Sequence, residues 1–431
     1  MLSFVSEEVW QDRSRIRDIQ SERLVELLTL VSSSNPFWKK RFAETGVDAA
    51  SIRSVDDLDQ LPVTMKHHLM DDQAADPPYG TNLTYPIDTY SRLHQTSGTT
   101  GLPLRCPDTP ADWDWFMECW RQKYNLIRLR PDDRLFFAFS FGPFIGFWAA
   151  FEGAIRLGYM CIPGGGLSTL RRLEMIDQNS ATVVCCVPTY AMRMADVAKQ
   201  HGFDLAASSV RLVIVAGEPG GSIPSVRRRI EEAWGARVID HWGMTEIGSL
   251  ATEHVDDPSG LMVLETEAIA EIVARETFEP VATGEIGELL LTNLGRHGAP
   301  LFRYRTGDLV RAATAPSPTG IQLTRLEGGV VGRVDQMITI RGNNVFPSSI
   351  EAVVREFDEV AEFRIDVTTV RAMQHLRLEI EPAENLSDVP ELLKRIGTRL
   401  HGRLGFQVDV TGVAPGSLPR FEMKARRFHR E

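Results

Sequence analysis

Residues 181–219 read ATVVCCVPTYAMRMADVAKQHGFDLAASSVRLVIVAGEP, and their texture decides the fold. Two apolar runs rich in β-branched residues, Ala181–Val187 and Val210–Ala216, bracket the amphipathic stretch Ala191–His201. Short apolar runs bounded by turn residues predict buried strands, and the spacing between them predicts a helix. Working outward, Arg134–Ser140 adds a strand, while Trp113–Ile127 and Ser225–Trp234 add helices. Such alternation predicts an α/β architecture with helices on the faces of a sheet.

Upstream, the opening 75 residues read as helices: Leu24, Leu27, Leu28 and Val31 recur at helical spacing, and Ser32-Ser33-Ser34-Asn35 stops the run before Pro36. Downstream, Gly284 to Val310 has a strand-and-turn texture, which changes around Gly332-Arg333. In Phe346-Pro347-Ser348-Ser349-Ile350-Glu351 the serines are N-cap candidates for a helix. His375–Pro382 predicts a strand, Val389–Leu404 a helix and Gln407–Val413 a strand. A boundary near Val334 therefore divides a large domain, 1–334, from a small α+β domain, 335–431. With 431 residues, more than one core is expected.

The composition, 43% hydrophobic and 24% charged, is that of a globular protein. A net charge of -11 argues against a nucleic-acid partner, whose phosphates it would repel. Cys106, Cys119, Cys161, Cys185 and Cys186 form no C-x-x-C pair, which suits reduced thiols and a cytoplasmic location. Early charges at Glu7, Glu8, Asp12, Arg13 and Arg15 predict no secretory signal. The uncharged run Leu135–Phe151 is shorter than the ~20 residues of a membrane span and is broken by Gly142, Pro143 and Gly146, so no membrane association is expected.

Chemistry is suggested first by Thr96-Ser97-Gly98-Thr99-Thr100-Gly101-Leu102-Pro103. Hydroxyls and glycines in this density suit a loop that wraps phosphate oxygens, or else an exposed turn; the Walker spacing is missing. Ala216-Gly217-Glu218-Pro219 closes a predicted strand, where open α/β sheets expose ligand loops. In Trp242-Gly243-Met244-Thr245-Glu246 the indole could stack on a purine or fill a core. The carboxylate could hold a metal ion or cap a helix. Asp308, in Arg303-Tyr304-Arg305-Thr306-Gly307-Asp308, suits a sugar diol or a plain turn.

These segments, in this order, resemble the superfamily of acyl-CoA synthetases, peptide-synthetase adenylation domains and luciferases, and within it the phenylacetate–CoA ligases. The matching stretches are TSGTTGLP at 96–103, AGEP at 216–219, HWGMTEIG at 241–248, FRYRTGDL at 302–309, GRVDQMITIRGNNVFPSSIE at 332–351 and LPRFEMKARR at 418–427. NPFWKKRFAETGV and DDLDQLPVTMK look like that branch's opening. The resemblance implies an enzyme that uses ATP and Mg²⁺ to convert a carboxylic acid to an acyl-adenylate. It implies a large AMP-binding α/β domain and a small, mobile C-terminal domain. Thr96, Ser97, Gly98, Thr99, Thr100 and Gly101 would hold the β- and γ-phosphates. Gly217, Glu218 and Pro219 would line the adenine pocket, with Trp242 and Gly243 where the family usually has tyrosine and glycine. Thr245 would touch the α-phosphate, Glu246 would bind Mg²⁺, and Asp308, assisted by Arg333, would take the ribose hydroxyls. Asp335 matches the hinge, and Lys424 the catalytic lysine.

Two departures bear on this reading. Leu102 stands where the phosphate loop usually has lysine, and Arg105 is the nearby cation that could substitute. Phe141, Phe144 and Phe147, with Ala216, fall where the family builds its acid pocket; Phe147 replaces a glycine and either narrows the pocket or packs behind it. Phenylalanine walls favour an aromatic acid. The acceptor is CoA or, alternatively, an amine or a carrier-protein thiol; a homodimer is compatible with the pattern. A catalytically silent nucleotide-binding protein is the reading from another class. The segment after the Thr-Glu motif offers only His254 as a zinc ligand, so no structural zinc is expected.

Overall fold

The structure is a computed structural model that describes residues 6–96, 103–340, 343–370, 373–384, 386–421 and 425–430. The chain divides into two compact units, one of Met1–Gly166, Ala181–Cys185 and Ile239–Gly329, the other of Leu167–Ser180, Cys186–Val238 and Val330–Glu431.

The first unit begins with the helix Arg13–Ser34, capped by Asp12, whose carboxylate accepts from the Arg15 amide at 3.1 Å. Ile16, Leu24, Leu27, Leu28 and Val31 form its buried stripe. The helix ends within the expected stop Ser32-Ser33-Ser34-Asn35: it runs through the three serines and closes at Asn35. The Asn35 side chain accepts from the Trp38 amide and so starts the helix Pro36–Thr45, a cap of the kind that contributes ~1 kcal/mol. The helix Pro110–Ile127 starts earlier than its apolar pattern predicts. A capping box between Thr109 and Asp112, with proline in the first turn, supplies its N-terminus. It is buried nearly all round, with Trp113, Trp115 and Trp120 each almost fully enclosed.

Arg134–Phe137 pairs in parallel with Met160–Pro163 on one side and with Val183–Cys185 on the other. Among the described residues this unit also holds the short antiparallel pair Arg92–Gln95 and Arg105–Asp108 and two larger antiparallel sets. One joins the final residues of Arg237–Met244 to Gly248–His254, Asp257–Val263 and Arg325–Glu327. The other is Ala268–Val273, Ile286–Asn293 and Tyr304–Arg311, the strand-and-turn region expected from the sequence.

In the second unit the apolar strand Leu212–Val215 accompanies the helices Thr169–Gln178, Pro188–His201 and Pro224–Trp234. Its C-terminal part is a four-stranded sheet in the order Asp409–Gly412, Met373–Pro382, Val360–Val370, Phe428–Arg430. Ile350, Val353, Phe363, Ile365, Leu378 and Ile396 share one core with the helices Pro347–Val354 and Val389–Leu404. The serines expected to cap the helix after Phe346 do not: Pro347 takes the first helical turn and Ser348 Oγ bonds the Val331 carbonyl at 3.0 Å. Proline's fixed φ suits that first turn, which moves the serines inside the helix. Among the described residues no helix is long and apolar enough to cross a membrane.

Candidate adenylate-forming site

The strand Arg237–Met244 turns at Thr245–Ile247 and returns as Gly248–His254, so the Trp-Gly-Met-Thr-Glu segment is the end of a hairpin strand and its turn. Glycine is required at 243 by close packing: a Cβ there would lie 2.8 Å from Ser249 Cα and Oγ. The indole N–H of Trp242 donates to Asp308 Oδ2 at 2.7 Å, which joins the two residues singled out for the nucleoside. Asp308 lies buried on the strand Tyr304–Arg311, its amide bonded to Thr306 Oγ1 at 3.1 Å.

Glu246 sits in the turn with only 3% of its surface exposed. Its Oε1 accepts from the Tyr304 hydroxyl at 2.9 Å and pairs with the Lys66 ammonium at 3.2 Å. Its carbonyl accepts from Arg296 Nη1 at 2.6 Å, and Arg296 is itself buried against Asp108 at 2.7 Å. Lys66 opens the helix Lys66–Ala75, and no motif in the sequence assigns it a role. The DDLDQLPVTMK stretch marked its region as familiar, but nothing in it announced a partner at 246. Arg105 lies beside the same small cavity as Glu246 and Gln73. Gln73 fixes the Arg105 backbone with two bonds, donating to its carbonyl at 2.7 Å and accepting from its amide at 3.1 Å.

Of the phosphate loop, Thr96 is described and Ser97, Gly98, Thr99, Thr100, Gly101 and Leu102 lie outside the described residues. Thr96 is buried and ties the two ends of the loop together. Its amide donates to the Leu104 carbonyl at 3.0 Å, and its Oγ1 accepts from the Leu104 amide at 3.1 Å.

The Phe141–Phe147 segment gathers an aromatic cluster. Phe147 is buried; its ring stacks on Phe139 at 4.9 Å and meets His241 edge-on at 5.2 Å. Phe141 contacts Phe139 at 5.1 Å and Trp148 at 4.4 Å. Phe144 lies at the surface, 41% exposed. Beneath the cluster, Lys123 is fully buried, with its ammonium bonded to Ser249 Oγ and 4.3 Å from the Trp120 ring centroid. Burial pulls the Lys123 ammonium down to about 7. Burial first, and then Lys123, holds His241 well below the usual histidine range. Neither Lys123 nor His241 was legible as a pair, since 118 residues of chain separate them (241 − 123).

In the second unit, Ala216–Pro219 follows the strand Leu212–Val215, and Gly217 adopts φ +91, which favours glycine. Glu218 bridges two segments: Oε1 accepts from the Thr189 amide at 2.8 Å, at the start of the helix Pro188–His201, and Oε2 accepts from the Ala425 amide at 2.7 Å. Two residues on, Arg427 is buried between Glu351 and Glu362, with its Nε 2.6 Å from Glu362 Oε1 and its Nη1 3.1 Å from Thr189 Oγ1. Lys424 lies outside the described residues; the residues directly after it are anchored by Glu218 and this arginine. Arg333 and Asp335 form a local ion pair, Nε to Oδ1 at 3.0 Å, with Asp335 largely exposed.

The Thr96–Leu104 tie, the buried turn carboxylate Glu246 and the Trp242–Asp308 pair lie in the stretches whose sequence resembles a nucleotide-activating enzyme, and the comparisons define the class. Residues 32–295 match AMP-binding enzyme and residues 342–430 match AMP-binding enzyme C-terminal domain, so the chain belongs to the AMP-binding enzymes, which form acyl-adenylates. Within that family it stands in the phenylacetate–CoA ligase-like branch. It is 30% identical over 430 residues to phenylacetate-coenzyme A ligase of Thermus thermophilus, covering 95% of each chain. Against the Pseudomonas putida phenylacetate-coenzyme A ligase it is 31% identical, covering 95% of this chain and 93% of the other. Among solved structures, 2-hydroxyisobutyryl-CoA ligase in complex with 2-HIB-AMP, in the postadenylation state, matches with a TM-score of 0.92 at 29% identity, over 97% of this chain and 90% of that one.

Proposed function

We propose that this chain activates an aromatic carboxylic acid with ATP and passes the acyl group to CoA. In the first half-reaction a carboxylate oxygen attacks the α-phosphorus, the bond to the β-phosphate oxygen breaks, and pyrophosphate leaves. In the second, the CoA thiolate attacks the acyl carbon and AMP leaves. The observation that carries the reading is the hairpin turn that puts Glu246 in a buried site while its strand delivers Trp242 to Asp308.

In this assignment Trp242 lies against the purine and Asp308 accepts from the ribose hydroxyls. Thr96–Gly101 takes the β- and γ-phosphates, Thr245 the α-phosphate, and Gly217, Glu218 and Pro219 the edge of the adenine. The residues fit Mg²⁺: the ion commonly takes one or two carboxylates together with substrate phosphates, and Glu246 is a buried carboxylate already paired with a cation, Lys66. Held by Glu246, the ion would supply positive charge against the phosphate oxygens. Lys424 brings a further positive charge to the reacting phosphate, where positioned charge typically contributes ~3–4 kcal/mol to the barrier. Phe141 and Phe147 wall the acid, and Asp335 serves as the hinge of the small domain between the half-reactions.

Acid-dependent exchange of pyrophosphate into ATP, measured across aryl acids, tests the first half-reaction. Supplying CoA, amines or a carrier protein in turn, and measuring AMP release, tests the acceptor. AMP release that requires CoA supports the reading; release with an amine or carrier protein alone assigns the other acceptor.

A further inference from the structure

The roles above leave one buried cluster without a task. His241 and Trp242 are consecutive on one strand, so their side chains leave on opposite faces. Trp242 reaches Asp308, whereas the His241 ring sits edge-on to Trp120 at 4.9 Å and to Phe147 at 5.2 Å. His241 is buried, yet among the described residues neither Nδ1 nor Nε2 has a hydrogen-bond partner, and the Nε1 of the adjacent Trp120 has none either. Buried polar atoms are almost always paired, because leaving them dry costs their full desolvation. A phenylalanine or leucine at 241 would fill such an apolar setting with no orphaned atoms. The histidine therefore calls for a partner that these side chains do not supply.

Lys123 is not that partner: its ammonium is taken up by Ser249 and the Trp120 face. Its charge instead opposes protonation of the imidazole. A neutral imidazole offers one donor and one acceptor, and Trp120 adds a second donor. These groups border Phe147, which stacks on Phe139 and so belongs to the aromatic wall proposed for the acid.

We propose that His241, with the indole N–H of Trp120, recognises a hydroxyl on the aromatic ring of the acid, so that the enzyme selects a hydroxylated aryl acid over its unsubstituted parent. The inference rests on the acid-activation reading and names its substrate class. A phenolic hydroxyl is small and neutral, and it both donates and accepts, so it can satisfy a histidine nitrogen and the indole N–H together. An unsubstituted ring would enclose these atoms unpaired, and a site built for a hydroxyl rejects an analogue that lacks it.

The test compares kcat/KM for acid-dependent pyrophosphate exchange between phenylacetate and its 3- and 4-hydroxy derivatives, and between benzoate and its hydroxy derivatives. Wild type, His241→Val and His241→Gln are assayed side by side. The wild type is expected to favour one hydroxylated isomer by ~10-fold or more. His241→Val should collapse that ratio toward one, chiefly through KM, and His241→Gln, which keeps a donor and an acceptor, should restore part of it. Equal use of parent and hydroxylated acids by the wild type overturns the inference. So does a His241→Val enzyme that loses both acids in equal proportion, which marks a purely structural histidine. If the valine variant does not fold, the glutamine variant against wild type carries the comparison. Absence of exchange with every acid would overturn the acid-activation reading itself, and this inference with it.

Discussion

Glu218 Oε2 accepts a hydrogen bond from the amide of Ala425 at 2.7 Å, so a residue of the Ala-Gly-Glu-Pro loop holds the chain immediately after Lys424. Its other oxygen holds the Thr189 amide at 2.8 Å. The carboxylate thus has two backbone obligations besides any part in lining the adenine. Hydrogen bonds to charged groups contribute ~1.5–3 kcal/mol each.

Glu218→Ala removes both acceptors and is expected to slow adenylate formation by ~10-fold or more. Glu218→Gln, which keeps one carbonyl oxygen, should fall between. Single-turnover formation of acyl-adenylate measures this, with a melting curve to separate loss of fold. An alanine variant that forms adenylate at the wild-type rate would show that the tether is idle.

Trp242→Phe keeps a ring for the purine but leaves Asp308 Oδ2 without its indole donor. The KM for ATP should rise several-fold, as expected for loss of one charge-assisted bond, while Asp308→Ala should raise it further by removing the ribose acceptor. Steady-state kinetics with ATP varied at saturating acid will show whether the order holds. Equal KM values in wild type and Asp308→Ala would contradict the ribose assignment.

Glu246→Gln keeps the size and the Tyr304 contact but removes the charge. It should leave Lys66 without its buried counter-ion and shift the Mg²⁺ dependence of exchange to much higher concentration, with kcat reduced by ~10²-fold or more. A Mg²⁺ titration that superimposes on wild type would remove the metal role.

Lys123 links stability to pH. In the folded state burial holds it to about 7, against 10.5 for an ordinary lysine. Between those values the unfolded chain carries the extra proton, so stability rises with pH across that window, by roughly 1 kcal/mol per pH unit. Below about 7 both states are protonated and this dependence vanishes. Lys123→Met should flatten the rise, which denaturant unfolding between pH 6.5 and 9.5 would reveal; equal slopes in the two proteins would contradict it.

What the sequence made legible follows from range. Local periodicity placed the helix Val389–Leu404 at its observed bounds, and the apolar runs around 183 and 212 as buried strands. The strand Val360–Val370 is hard to read from sequence although Phe363, Ile365 and Val367 alternate with Arg364 and Asp366, because charges at Glu362, Arg364 and Asp366 mask its apolar face. Trp242, Glu246 and Asp308 could be named because they sit in contiguous motifs. Lys66, Lys123 and His241 could not, since each draws its meaning from a neighbour distant in sequence. Glu218 is legible within its motif, but its link to Ala425, which spans 207 residues, is not.

The measurement closest to the central claim is acid-dependent exchange of labelled pyrophosphate into ATP by the wild type and by Lys424→Ala. The account predicts exchange that requires an aryl acid and Mg²⁺ and falls by ~10²–10³ in the alanine variant, with ATP binding largely retained. Exchange with no acid at all, or a Lys424→Ala enzyme as active as the wild type, would contradict it.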